Sequence, residues 1–187
     1  MGKSVSRPVV GLVLLVAVAS TLSPGQVRRP ECGHDRWAVK TLTDKDRGRV
    51  DVSPVNATVS KLASIRIHEI PYPEDGRIEP EELHVYRVRA KLMEIRREKD
   101  SDIHIILADL DRLEIRMIAE IPAPECANGS GHEDAFRQAR ETVLSMRVET
   151  TIEVVGVGFF DYLHDAKGGA KNGIEIHPVL QLKAAPR

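Results

Sequence analysis

The sequence predicts a mainly β, α+β fold: a small closed barrel of five strands, with one helix inserted between the third and the fourth. Three observations carry that prediction. Between His84 and Ile121, apolar residues recur at every second position in three successive runs. The segment from His132 to Met146 breaks the pattern with apolar residues at helical spacing. Two further strand-like runs follow, Thr150 to Phe160 and Gly173 to Leu182.

The first strand, 84–97, sets Tyr86, Val88, Ala90 and Leu92 against Arg87, Arg89 and Lys91, so one face is apolar and one charged. Its phase then slips, because Met93 and Ile95 are apolar on the other parity, and a bulge or strong bend accounts for such a slip. The second strand, 102–109, alternates Ile103, Ile105 and Leu107 with Asp102 and His104. The third, 113–121, alternates Leu113, Ile115, Met117, Ala119 and Ile121 with Glu114, Arg116 and Glu120, and Pro122 ends it. In the helix of 133–146, Ala135, Phe136, Ala139, Val143 and Leu144 form the apolar stripe, and Glu133 and Asp134 suit its first turn. The fourth and fifth strands are placed at 150–160 and 174–183, with Gly156 and Gly158 marking a bend or a close backbone approach. A long, bent first strand and a helix between strands three and four are marks of the five-stranded OB-like barrel. The competing architecture is an α+β sandwich with the helix on one sheet face. The expected core is Tyr86, Val88, Ile103, Ile105, Ile115, Met117, Ile152, Val154, Ile174 and Ile176.

The chain ahead of the barrel divides into three parts. Residues 1–19 read as a secretory signal peptide: Lys3 and Arg7 are basic, Val9 to Ala19 is apolar apart from Gly11, and Ala17-Val18-Ala19 suits a signal peptidase. That run is shorter than the roughly 20 residues a membrane-spanning helix needs, so membrane contact is expected only before cleavage. Residues 20–35 read as a linker, and 36–80 as an N-terminal extension packed on the barrel domain of 81–187. Within the extension, Thr58 to Ile67 fits a short helix or a strand equally well. Removing 1–19 takes the net charge from −1 to −3. With aromatic residues at 4%, neither phosphate attraction nor a base-stacking platform is supported, which argues against nucleic acid as a partner. Cys32 and Cys126 are the only cysteines. In a secreted or periplasmic chain an isolated pair is expected to be a disulfide, with Cα atoms roughly 4.4–6.8 Å apart.

Longer motifs carry a resemblance. Gly156-Val-Gly-Phe-Phe-Asp161, His164, and Asn172-Gly-Ile-Glu-Ile-His-Pro-Val-Leu180 resemble a family of uncharacterised exported bacterial proteins. Arg36-Trp37 with Lys40-Thr41 and Asp44, Asp102-Ile103-His104, and Ala119-Glu120-Ile121-Pro122 followed by Cys126 extend the match over roughly 36 to 182. Asp165-Ala166 stands where that family often has Gly-Gln. The resemblance implies kinship and an export route, and no reaction.

The polar parity of the strands supplies the candidate site. Strand two offers Asp102 and His104, strand three Glu120 with Arg116, and strand five Glu175 and His177; Asp161 and His164 enter from the loop after strand four. In an OB-like barrel strand two pairs with three and three with five, so these residues share one patch of wall. Two imidazoles among carboxylates suit a ligand, acid–base work, or a divalent metal for which His104, His164 and His177 are the candidate ligands. Neither a Gly-x-Ser-x-Gly elbow nor a His-Glu-x-x-His zinc motif is present. Two functions are therefore expected. The first is a non-enzymatic binding module for a small ligand, a glycan or a protein. The alternative is a metal-assisted, nuclease-like hydrolase using the His/Asp/Glu patch.

Overall fold

In chain order the elements are α1 (Trp37–Lys40), β1 (Asp51–Ala57), α2 (Val59–Ala63), β2 (His84–Arg97), β3 (Ile103–Ala108), β4 (Arg116–Ile121), α3 (Glu133–Leu144), β5 (Thr151–Phe160) and β6 (Ile174–Ala184). The computed structural model describes residues 2, 30–66, 71–163 and 167–186. Apart from residue 2, the expected signal peptide lies outside the described residues, as does His164.

Strand β2 closes the barrel because it is long enough to serve two neighbours. Its first half, Val85 to Lys91, pairs antiparallel with β5, and its second half, Lys91 to Arg97, pairs antiparallel with β3. The register shifts between Leu92 and Glu94. There the apolar phase slips in the sequence, so the bulge turns the strand from one neighbour to the next. The circuit continues β3–β4 antiparallel, β4–β6 parallel and β6–β5 antiparallel. The result is a closed, mixed, five-stranded barrel of OB-like order.

Nine of the ten expected core residues are buried. The exception is Ile115, which is only partly buried and packs on the edge of the core. It precedes β4, which begins at Arg116 rather than near 113. Leu113 is 43% exposed, and the turn before β4 is held by the Asp109 carboxylate, which accepts from the N–H groups of Asp111 and Arg112. Helix α3 lies where the periodicity places it, and its Phe136, Ala139 and Val143 join the barrel's own core.

The N-terminal extension holds more structure than its sequence pattern declares. Strand β1 adds parallel to β2 outside the closed circuit. It is exposed along nearly its whole length and carries Pro54, so it has neither the alternation nor the full hydrogen bonding by which a strand is read. Ile67 lies outside the described residues; over the rest of the Thr58–Ile67 segment the ambiguity resolves as helix α2, capped by the Thr58 hydroxyl, which accepts from Lys61 N at 3.1 Å. Two ion pairs have fully buried side chains: Asp44–Arg77 ties the extension to itself, and Arg36–Glu82 joins it to the barrel domain just ahead of β2.

Cys32 and Cys126 form a disulfide with Cα atoms 5.5 Å apart. It ties the segment before α1 to the turn before α3, and it fits an oxidising compartment. Among the described residues no helix is long and apolar enough to cross a membrane.

Polar parity on strands two, three and five turns these residues away from the barrel core, and yet Asp102, His104, Glu175 and His177 are all buried. The loop after β5 lies over one side: Arg96 Nη2 donates to Lys167 O at 3.3 Å, and Asn172 Nδ2 donates to the Leu62 and Ile65 carbonyls. Helix α1 lies over the other, with Lys40 Nζ 5.2 Å from the centre of the Phe159 ring.

Candidate functional site

The site grows from the pairing of β3 with β4. Ile103, Ile105 and Leu107 point inward, so His104 points outward; Met117, Ala119 and Ile121 point inward, so Glu120 points outward as well. The register sets His104 directly opposite Glu120. In β6, Ile174 and Ile176 fill the interior and turn Glu175 and His177 to the same outer wall. Ile118 of β4 and Phe159 of β5 flank Glu175. Three strands thus deliver four polar side chains to one place, and Asp102, one residue before β3, adds a fifth.

These residues form a chain. His104 Nδ1 lies 2.8 Å from Glu120 Oε1, and His104 Nε2 lies 3.0 Å from Arg96 Nη2. A guanidinium only donates, so Nε2 accepts and Nδ1 carries the proton given to Glu120. The second oxygen of Glu120 is 3.1 Å from His177 Nδ1, and His177 Nε2 is 3.5 Å from Asp102 Oδ2. Neither His177 contact is aligned as a hydrogen bond: both ring nitrogens and Asp102 Oδ2 lack a hydrogen-bond partner, as does Glu175 Oε2. Asp102 Oδ1, by contrast, accepts from Ala123 N at 3.1 Å. An ion pair without hydrogen-bond alignment recovers less of the cost of burying its groups.

The electrostatics differ sharply along the chain. Burial alone would raise Glu120, but the imidazoles of His104 and His177 outweigh it and hold the carboxyl well below its usual range. Glu175 moves the other way: burial, then repulsion from Glu120 and Asp161, drives it well above the ordinary value. Burial opposes charge on His177, yet Asp102 and Glu120 on either side outweigh it and raise the imidazole to about 9. Asp102 is raised by burial. Lys40 loses hydration by burial, but Asp161, Glu120 and Glu175 outweigh that loss and raise it.

Above the chain lies an open depression of about 630 Å³, into which Lys40, His104, Glu120, Asp161 and Glu175 face. Lys40 Nζ and Asp161 Oδ2 are 3.4 Å apart across it. The chain matches no protein-family model and no curated protein. The structure therefore divides the seven expected residues. His104, Glu120, Asp161 and Glu175 line the depression, Asp102 and His177 lie sealed beneath it, and His164 is outside the described residues. The metal grouping changes as well. His104 and His177 meet through the two oxygens of one glutamate, and the compact donor group among the described residues is Asp102, Glu120 and His177. That buried Asp/Glu/His group is able to bind a metal.

Two members escaped the sequence reading. Arg96 sits where the β2 phase has slipped, so its face was not assigned. Lys40 lies in the extension, far from the strands in sequence. Its only signal was its place beside Arg36-Trp37 and Asp44 in the motif.

Proposed function

We propose that the protein is an exported bacterial binding module, non-enzymatic, made with a signal peptide removed after Ala19. Its ligand is a small polar molecule, a glycan unit or a zwitterion, seated in the depression on the barrel wall. One observation carries this reading: side chains of both charge signs, Lys40 against Glu120 and Asp161, converge on an open depression built on hydrogen-bonded strands. Rigid strands hold donors and acceptors at fixed separations, as recognition of a hydroxylated or zwitterionic ligand needs. The disulfide supports an extracytoplasmic setting.

The test is a thermal-shift screen of the mature chain against sugars, amino acids and small betaines, with hits measured by calorimetry. A true ligand loses at least tenfold in affinity in Lys40→Met and in Asp161→Asn, while the thermal midpoint of each free variant stays near the wild type. Hits untouched by both substitutions place the ligand elsewhere and end the reading.

A second reading, a metal-assisted hydrolase of the nuclease-like kind, is favoured by the Asp102, Glu120 and His177 group. Turnover of phosphodiester substrates that depends on an added divalent cation and disappears in Glu120→Gln supports it over the first.

A further inference from the structure

We infer that Asp102, Glu120 and His177 form a buried site for a single divalent cation of the manganese-to-zinc series, beneath the depression. The inference shares its location with the proposed ligand site and stands or falls separately from it.

Three observations converge. First, one donor atom from each of the three residues lies within 4.8 Å of the other two. Donors about 2.0–2.2 Å from a shared ion stand roughly 3–3.5 Å apart, so small side-chain rotations complete the set. Second, the donors are sealed and unbonded. Asp102 and His177 are 0% and 1% exposed, and Asp102 Oδ2 and both ring nitrogens of His177 have no hydrogen-bond partner. In a protein interior such atoms are ordinarily bonded. A proton on His177 serves them poorly, because its N–H groups miss alignment with the flanking oxygens; a cation takes the lone pairs themselves. Third, Glu175 stands beside Glu120 on the same wall, and its Oε2 is also without a hydrogen-bond partner.

The donor types select the class of ion. One imidazole and two carboxylates suit manganese, iron, cobalt or zinc. Calcium asks for six to eight oxygens, and magnesium keeps most of its water. Glu120 is the member that reaches both the sealed donors and the depression, so the ion enters along it. His104, bonded to the other oxygen of Glu120, acts as a positioning residue by orienting that carboxylate.

The experiment uses the mature chain, stripped with a chelator and reloaded with Zn²⁺ or Mn²⁺. One molar equivalent of ion is expected by elemental analysis, with a rise in thermal midpoint on loading. Asp102→Asn and His177→Gln lose at least tenfold in affinity, whereas Asp134→Asn, an exposed acid of α3, binds as the wild type does. Failure of the stripped wild type to take up an equivalent overturns the inference, and so does undiminished binding by both variants. Should those variants not fold, electron spin-echo spectroscopy of the Mn²⁺-loaded wild type decides: coupling to one imidazole nitrogen is expected, and coupling to none or to several overturns the site. A stripped chain that binds a polar ligand yet takes no ion removes this inference alone; one that takes the ion yet binds no polar ligand removes only the earlier reading.

Discussion

Arg36 places every N–H of its guanidinium. Nε donates to Pro73 O, Nη1 to Glu82 Oε1 and Phe160 O, and Nη2 to Glu82 Oε2 and Gly76 O. Its Cζ lies 4.8 Å from the centre of the Phe159 ring. Glu82 completes the arrangement by accepting from Ile78 N and Phe160 N. A buried charge so fully bonded is tolerable only while its partner stays charged. Glu82→Gln is therefore expected to cost about 3–5 kcal/mol by chemical denaturation. Arg36→Met combined with Glu82→Leu is expected to cost less than the sum of the single changes, since the pair is then removed together. Asp109 offers a pH test. Burial raises its carboxyl, but the Ser60 hydroxyl and N–H, with the N–H groups of Asp111 and Arg112, outweigh burial and lower it. A carboxyl lowered by folding stabilises above its unfolded value, near about 3.9, and that contribution is lost as pH falls through the folded value. Asp109→Asn is expected to cost about 1–2 kcal/mol at neutral pH. The gap between wild type and variant should narrow below roughly pH 4; a gap that widens there contradicts the assignment.

At the scale of elements, the β5–β6 contact rests on absent side chains. A Cβ at Gly156 would overlap the Pro178 carbonyl and stand 2.9 Å from Val179 Cα. The β5–β6 register shifts on both sides of Gly156. The close approach anticipated for this glycine is thus a backbone-on-backbone contact, and backbone cannot step aside as a flexible side chain does. Gly156→Ala is expected to destabilise by about 1–3 kcal/mol or more, read by denaturant midpoint. Because β6 carries Glu175 and His177, the same substitution should also weaken any binding in the depression. Unchanged stability would show that the two strands have room to part.

For the molecule as a whole, the disulfide joins positions 94 residues apart, and closing such a loop stabilises by about 4–5 kcal/mol in the chain-entropy picture. It also anchors the segment that leads into α1 and therefore Lys40. Trp37 Nε1 donates to Cys126 O at 3.1 Å beside it. Cys32→Ser with Cys126→Ser is expected to lower the unfolding free energy by several kcal/mol and to weaken ligand binding in the depression beyond tenfold. Equal binding with and without the bridge would place Lys40 outside the recognition surface.

What the sequence by itself determined was the barrel. Period-two alternation assigns most residues between His84 and Ile121 to an inside or an outside, the slip at Met93 marks the bulge, and the helical stripe of α3 holds Phe136, Ala139 and Val143 to one face. These are local properties, since neighbours along a strand alternate whatever lies above them. The strand order of an OB-like barrel then brings Asp102, His104, Glu120, Glu175 and His177 to one wall. Alternation does not say what covers the outer face. That was decided by the tertiary structure, which lays α1 and the β5–β6 loop across it, makes the outward polar patch a buried chain, sets Lys40 opposite Asp161, and seals Arg36 against Glu82. Each of these contacts joins residues tens of positions apart or more, and its energy comes from excluding water between surfaces whose meeting no local pattern records.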